Sequence, residues 1–357
     1  MLRPGSKLPE CSEELREIIS KADYASCNFE GAVRAMGKPG LKAGPHIEMS
    51  EQAAEWLSKL GFSIFNLANN HIYDFGKEGL KATLLSLKDK TTIGAGLDFS
   101  EAYSMKVVYA GDTSIGCIAL GEAEFGALTE ISRSESGFAW VNHPYTDKFI
   151  TESRKSVDVL LVQVHAGVEK TDIPLSEWRA RYKQLTELGA DAVIASHPHV
   201  PQGWEYYNGK PVFYSLGNFY FDSSSASDGM GVTLLFDGKT LKGVETTGIE
   251  NSKGKITLQN TDTWKNTEDK LCGLLKEPEY STALDDMVIQ LWKERYRHHY
   301  ERASNGITRY SIVEILKHIK NMFILKKPNF PLLQHNIRIE SHFWAVRRAV
   351  ERIMEKL

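Results

Sequence analysis

The stretch Asn69-Asn70-His71-Ile72-Tyr73-Asp74-Phe75-Gly76 follows an apolar run, Phe62 to Ala68, and precedes a segment with Leu80, Leu84 and Leu87 on one helical face. The apolar run reads as a buried strand, and the three- and four-residue steps read as a helix from Gly76 to Leu87. Between them, side chains able to bind a metal or move a proton are crowded into one turn. Open α/β sheets bind their ligands beyond the carboxyl ends of the strands. This turn therefore bears on both the fold class and the place of the site.

Three other strand ends share the design. Asn28-Phe29-Glu30-Gly31 closes a short strand expected from Asp23 to Asn28. His165-Ala166-Gly167, with Glu169 nearby, closes the apolar run Val157 to Val164. His197-Pro198-His199 closes Asp191 to Ala195. Helices are expected from Ser12, as a cap, to Lys21, from Ser50 to Leu60, and from Leu175 to Leu188, the last two stopped by Gly61 and Gly189. Buried strands alternating with helices imply a mostly parallel sheet covered by helices. Met105 to Ala110 and Ser114 to Leu120 read as a hairpin turning at Gly111-Asp112. Beyond Val200 the pattern changes. Val212 to Leu216, Met230 to Phe236, Leu241 to Thr247 and Lys255 to Gln259 read as a second, antiparallel sheet. The expectation is an α/β protein with two sheets between helix layers. Residues 1–262 form its main domain, and residues 263–357 form a helical, basic C-terminal extension.

The composition is that of an ordinary globular chain, 42% hydrophobic and 25% charged over 357 residues. Cys11, Cys27, Cys117 and Cys272 are scattered without CxxC spacing, so neither a zinc knuckle nor a disulfide framework is indicated. No apolar run approaches the roughly 20 residues of a membrane span. Met1-Leu2-Arg3 leads into Pro4-Gly5-Ser6 rather than an apolar signal region, so the chain as written is expected to be cytoplasmic. Residues 291–357 hold 14 Lys/Arg against 6 Asp/Glu, a net of +8, and the remainder carries −11. Phe343, Val346, Val350 and Ile353 recur at helical spacing with Arg347, Arg348 and Arg352 between them. That helix is expected either to cap the fold or to make peripheral contact with an anionic membrane surface. Gly94-Ala95-Gly96 lacks the third glycine of a dinucleotide fingerprint and has no P-loop lysine. No nucleic-acid partner is expected.

Imidazole, carboxylate and amide oxygen together suit a hard-to-borderline divalent ion such as Mn, Zn or Fe, and the lack of thiolate argues against structural zinc. The candidate ligands are Glu30, Asn70, His165, His197 and His199. Pro198 is expected to hold His197 extended. His71, beside Asn70, is positioned to give a proton to a leaving group, and Asp74 to orient it. The competing reading of Asp74 is a cap for the helix near Gly76. Glu169 is either a supporting carboxylate or an exposed loop acid. With Asn28 and Asn69 it is a candidate for contact with substrate, a set that the resemblance described below extends to Asn218.

These motifs, in this order, resemble the CapA family of bacterial capsule and poly-γ-glutamate synthesis proteins. The matching segments are Asn28-Phe29-Glu30, Leu67-Ala68-Asn69-Asn70-His71 with Asp74-Phe75-Gly76, Gly94-Ala95-Gly96, His165-Ala166-Gly167-Val168-Glu169, His197-Pro198-His199-Val200 and Tyr214-Ser215-Leu216-Gly217-Asn218-Phe219. The resemblance covers about residues 12–222 and none of the chain beyond about residue 265. It implies a four-layer α/β/β/α sandwich of the metallophosphoesterase-like superfamily with a two-metal site. Asn70, His165 and His197 would hold one ion and His199 the other, with Glu30 as a candidate bridge and Asn218 lining the site. The family pattern opens with a strand ending in Gly-Asp, whose aspartate is a ligand. Met1-Leu2-Arg3 looks like the residues just after that motif, and Gly111-Asp112 does not replace it.

Two functional readings follow. One is a di-metal hydrolase acting on a phosphoester-type bond in capsule or exopolymer production. The other is a non-catalytic assembly factor that docks to components of that machinery. A polyglutamate-handling amidase or transferase rests on the resemblance alone.

Overall fold

The computed structural model describes residues 2–33, 36–129, 135–222, 226–300 and 329–355. A six-stranded sheet runs in the order Trp204–Tyr207, Lys210–Phe213, Ala192–Ser196, Val159–His165, Thr113–Gly121, Lys106–Ala110. Its middle strands are parallel, and their register sets His165 opposite both Gly121 and Ser196. The residues that follow these strand ends therefore emerge side by side. A three-stranded parallel sheet, Ala25–Asn28, Phe62–Asn66 and Thr91–Ile93, brings Asn28, Asn66 and Ile93 level in the same way.

The order differs from expectation in one place. Lys210–Phe213 pairs in parallel with Ala192–Ser196 and so belongs to the six-stranded sheet. Val212 and Phe213 are fully buried, which suits an interior strand. Trp204–Tyr207 hairpins onto it through Asn208-Gly209, both at positive φ, the conformation favoured by Asn-Gly turns. The antiparallel sheet proper holds Ser227–Asp237, Thr240–Ser252 and Lys255–Leu258, joined at its far edge by the short parallel strand Glu10–Cys11.

One hydrophobic cluster joins the sheets. Ile64 and Phe65 of the three-stranded sheet, Cys117 and Ala119 of the six-stranded sheet, and Ile249 and Ile256 of the antiparallel sheet all belong to it. Leu15 and Ile19 of helix Glu13–Lys21 and Ala53, Trp56 and Leu57 of helix Gln52–Lys59 cover that cluster from the outside. Ser12 caps the first of these helices by accepting from the Leu15 N–H. Helices Thr146–Arg154 and Ser176–Glu187 pack on the six-stranded sheet, the latter burying Trp178, Tyr182 and Leu185. Helix, sheet, sheet and helix make the four layers of an α/β/β/α sandwich. A cleft of about 960 Å³ opens between the edge strands Ala25–Asn28 and Ser227–Asp237 and reaches Glu30, His197, His199 and Asn218.

The chain forms two compact units. The first holds Met1–Gly40 and His46–Tyr280, and the second Leu41–Pro45 and Ser281–Leu357. Helix Thr261–Gly273, which begins close to the expected domain boundary, lies in the first unit, where Trp264 packs with Phe213 and Met230. The second unit contains helices Phe330–Arg338 and Glu340–Met354. Residues 301–328 of the basic extension lie outside the described residues. Among the described residues, no helix is long and apolar enough to cross a membrane.

Gly94 shows how tightly the loops at the strand ends are packed. Its φ is +86°, and a Cβ there would sit 2.6 Å from the Ala68 Cβ and 2.8 Å from the Ala119 Cβ. Gly94→Ala is expected to destabilise the protein by about 3 kcal/mol, combining the left-handed penalty with overpacking. Urea unfolding checks it, and an unchanged midpoint would contradict the packing described.

Candidate metal centre

Each candidate donor stands at or beyond a strand end. After Phe62–Asn66, the Asn66 side chain accepts from the Ala68 N–H, 2.8 Å, and starts the turn. Asn69 is wholly buried. Its amide donates to the Phe29 carbonyl, 2.9 Å, and its oxygen accepts from the His71 N–H, 3.3 Å. Its polar ends are both engaged with backbone, so this residue ties the Asn28–Glu30 loop to the Asn70-His71 turn.

Asn70 points into the centre. Its Oδ1 lies 3.0 Å from His165 Nε2, which in turn lies 3.0 Å from His197 Nδ1. Donor atoms held about 2.1 Å from one ion sit roughly 3.0–3.4 Å from each other, and each of these two steps matches that spacing. The Asn70 amide donates to Glu124 Oε2, 3.3 Å, and Glu124 Oε1 is 3.6 Å from His197 Nε2. Glu122, Glu124 and His197 each bring a ligand atom within 4.8 Å of the others. On the far side, His199 Nδ1 lies 3.0 Å from Asn218 Oδ1, and its Nε2 is 3.7 Å from Glu30 Oε1. Glu30 Oε2 accepts from the Asn28 amide, 3.2 Å.

Glu122 and Glu124 are the residues sequence reasoning misses, although the signal is present. Gly121-Glu122-Ala123-Glu124 follows an apolar strand, as the other four clusters do. The parallel register sets that strand end beside His165, and Glu122 Oε2 accepts from the Gly167 N–H, 2.9 Å. Glu169 is half-buried, and its charge is felt by His197.

Two further expectations are altered. His197 is not in ordinary extended backbone: its φ is +110° and that of His199 is +62°. The chain turns sharply at both, and the Pro198 carbonyl between them accepts from the Lys170 N–H, 2.8 Å. Asp74 caps no helix, because Phe75 is the residue preceding Gly76–Ser86 and no side chain caps that end. Asp74 Oδ2 instead meets His71 Nδ1 at 2.8 Å and accepts from the Ile47 N–H, 2.7 Å.

The electrostatics suit cations. Burial pushes the Glu30 pKa up, but the fields of His199, His165, His71 and His197 outweigh it and bring it down to about 2. Burial drives the His165 pKa well below its usual value, only partly opposed by Glu30. Burial likewise brings His197 down to about 4 against the pull of Glu169. Neutral imidazoles and an ionised carboxylate are the ligating forms of these groups. Glu30 Oε1 and His165 Nδ1 are buried without a hydrogen-bond partner. The residues present therefore fit divalent ions. Glu30, Asn70, Glu122, Glu124, His165, His197 and His199 are the side chains that could hold them.

Removing the Asn69 amide leaves two buried backbone groups unpaired, so Asn69→Ala is expected to cost about 2–4 kcal/mol by denaturant unfolding. The metal-free chain should lose stability in acid. His197 stays neutral in the fold down to about pH 4 but protonates near 6.5 once unfolded, so unfolding takes up a proton between those values. Glu30 acts with the same sign lower down, between about 4.5 and 2. Urea midpoints measured from pH 7 to pH 4 should fall, and His197→Asn should flatten the slope.

The family model described as "Bacterial capsule synthesis protein PGA_cap" matches residues 3–223. The chain is 31% identical over 210 residues to the PGA biosynthesis protein CapA of Bacillus subtilis (strain 168), covering 57% of this chain and 55% of that one. It is 30% identical over 214 residues to the capsule biosynthesis protein CapA of Bacillus anthracis, covering 57% and 52%. The chain thus spans about half the length of these curated relatives. A crystal structure of a putative 5'-nucleotidase from Staphylococcus aureus aligns at 15% identity and a TM-score of 0.40, over 68% of this chain and 51% of that chain. With the family model matched over more than half of its length, the chain belongs to the bacterial capsule synthesis protein family, PGA_cap.

Proposed function

We propose that this protein is a di-metal hydrolase that acts on a phosphoester-type bond in the making of a capsule or exopolymer such as poly-γ-glutamate. The observation that carries the reading is the run of close contacts from Asn70 Oδ1 to His165 Nε2 to His197 Nδ1, each 3.0 Å, with the His71–Asp74 pair on the same turn as Asn70. When bound, two divalent ions (Mn, Zn or Fe) would activate a water and offset the charge that builds on the transferred group.

The chain's own residues have separable tasks. Asn70, His165 and His197, with Glu122 and Glu124 beside them, define one ligand cluster, and Glu30 and His199 a second. Asn218 fixes the His199 ring and also donates to the His199 carbonyl, 3.1 Å. Asp74 engages Nδ1 of His71 and so leaves Nε2 as the atom that exchanges a proton with a leaving-group oxygen. Asp74 is fully enclosed, so its hold on the ring is shielded from water. Asn28 and Asn218 line the cleft and are our candidates for contact with substrate, together with Glu169. Capsule-synthesis components are the proposed partners.

The test is turnover of a chromogenic phosphodiester by the metal-loaded chain. His71→Ala should lower kcat by about 10²–10⁴ while leaving metal content unchanged. His197→Ala with His199→Ala should lower both. Equal turnover by wild type and His71→Ala would remove the acid role. No turnover of any phosphoester by fully loaded wild type would favour the non-catalytic assembly role.

A further inference from the structure

Asn28 and Glu30 stand two residues apart at the end of strand Ala25–Asn28. Phe29, between them, extends the ladder: its N–H donates to the Asn66 carbonyl, 2.9 Å, and its ring is fully buried edge-on to Phe65. Side chains two apart on an extended chain face the same way. Asn28 and Glu30 therefore share the side opposite Phe29, where the cleft reaches His199 and Asn218. Gly31, at φ +122°, then turns the chain.

The two side chains meet through one contact, the Asn28 amide donating to Glu30 Oε2, 3.2 Å. That contact occupies one oxygen of Glu30 and the nitrogen of Asn28. The other arms, Asn28 Oδ1 and Glu30 Oε1, are both closed off from solvent and have no hydrogen-bond partner. A buried acceptor left unsatisfied costs about 1–3 kcal/mol, and here two belong to side chains in contact. A third acceptor adjoins them. His199 Nδ1 lies 3.0 Å from Asn218 Oδ1, and the Asn218 amide donates to the His199 carbonyl, 3.1 Å, which fixes the way the carboxamide points. The neutral ring thus carries its proton on Nδ1 and keeps a lone pair on Nε2. That Nε2 is 3.7 Å from Glu30 Oε1, beyond a hydrogen bond. Ligand atoms about 2.1 Å from one ion lie roughly 3.0–4.2 Å apart, according to the angle between them, and this separation falls in that interval.

We propose that Asn28 is itself a ligand of the second ion, binding through Oδ1 beside Glu30 Oε1 and His199 Nε2. The inference rests on the two-ion reading of the centre and sets Asn28 on the ion rather than on the substrate. An amide suits the position. Its nitrogen orients the Glu30 carboxylate, and its oxygen adds a ligand without adding negative charge to a buried acidic site. Leucine, of similar size, would remove both contributions.

The test is the metal content of the full chain after saturation with manganese(II) and dialysis, which needs no turnover. Wild type should hold two ions per chain. Asn28→Leu should bind the second at least tenfold more weakly by titration calorimetry while retaining the first. Asn28→Asp keeps a ligand oxygen but cannot donate to Glu30, and it should retain both ions. Equal binding of both ions by wild type and Asn28→Leu overturns the proposal and leaves the hydrolase reading standing. Loss of the second ion from Asn28→Asp also overturns it, because Asn28 would then act only by holding Glu30. A wild-type chain that takes up no second ion overturns this proposal and the two-ion reading together.

Discussion

Most of the first unit is arranged around one electrostatic constraint. Glu30, Glu122 and Glu124 lie buried beside His165 and His197, and burial holds those two imidazoles neutral rather than cationic. Buried carboxylates need a partner charge, because desolvation costs several kcal/mol per ion. A cation bound among them would supply one. A cluster of this kind persists only if the surrounding structure holds its donors in place and leaves a cation as the best available partner.

The holding is distributed among the strand ends. Parallel register sets the ends of Thr113–Gly121, Val159–His165 and Ala192–Ser196 level with one another. The three-stranded sheet does the same for Asn28 and Asn66. Asn69 then links the two loops of that sheet through backbone contacts. No single residue builds the centre, and its precision comes from sheet geometry that would exist without any ligand.

How much of this is legible in the sequence depends on the range of the interaction involved. Helix starts such as Ser12 and buried strands such as Val159–His165 are encoded locally, in a cap or a run of apolar side chains. The ligand types at four strand ends are legible for the same reason. Sheet membership is not local. Lys210–Phe213 joins the parallel sheet because of what Ala192–Ser196 offers beside it, and a hydropathy pattern holds no record of that neighbour. Glu122 and Glu124 become candidates only once register sets Gly121 against His165. The positive φ at His197 was hidden for another reason: Pro198 biases the residue before it toward extended backbone, and the tertiary demand to aim two imidazoles overrides that bias.

That override has an evolutionary consequence. A non-glycine residue at positive φ carries a standing cost of about 1–3 kcal/mol, and this chain places two of its proposed ligands there, at 197 and 199. Glycine or asparagine at either position would relax the backbone while deleting an imidazole. Loss of the centre would therefore be downhill in stability, and a lineage released from selection for it would be expected to shed these two histidines early. The histidines at 197 and 199 can thus serve as a sensor: across descendants of this fold, their replacement by small or left-handed-tolerant residues would date the point at which the centre ceased to matter.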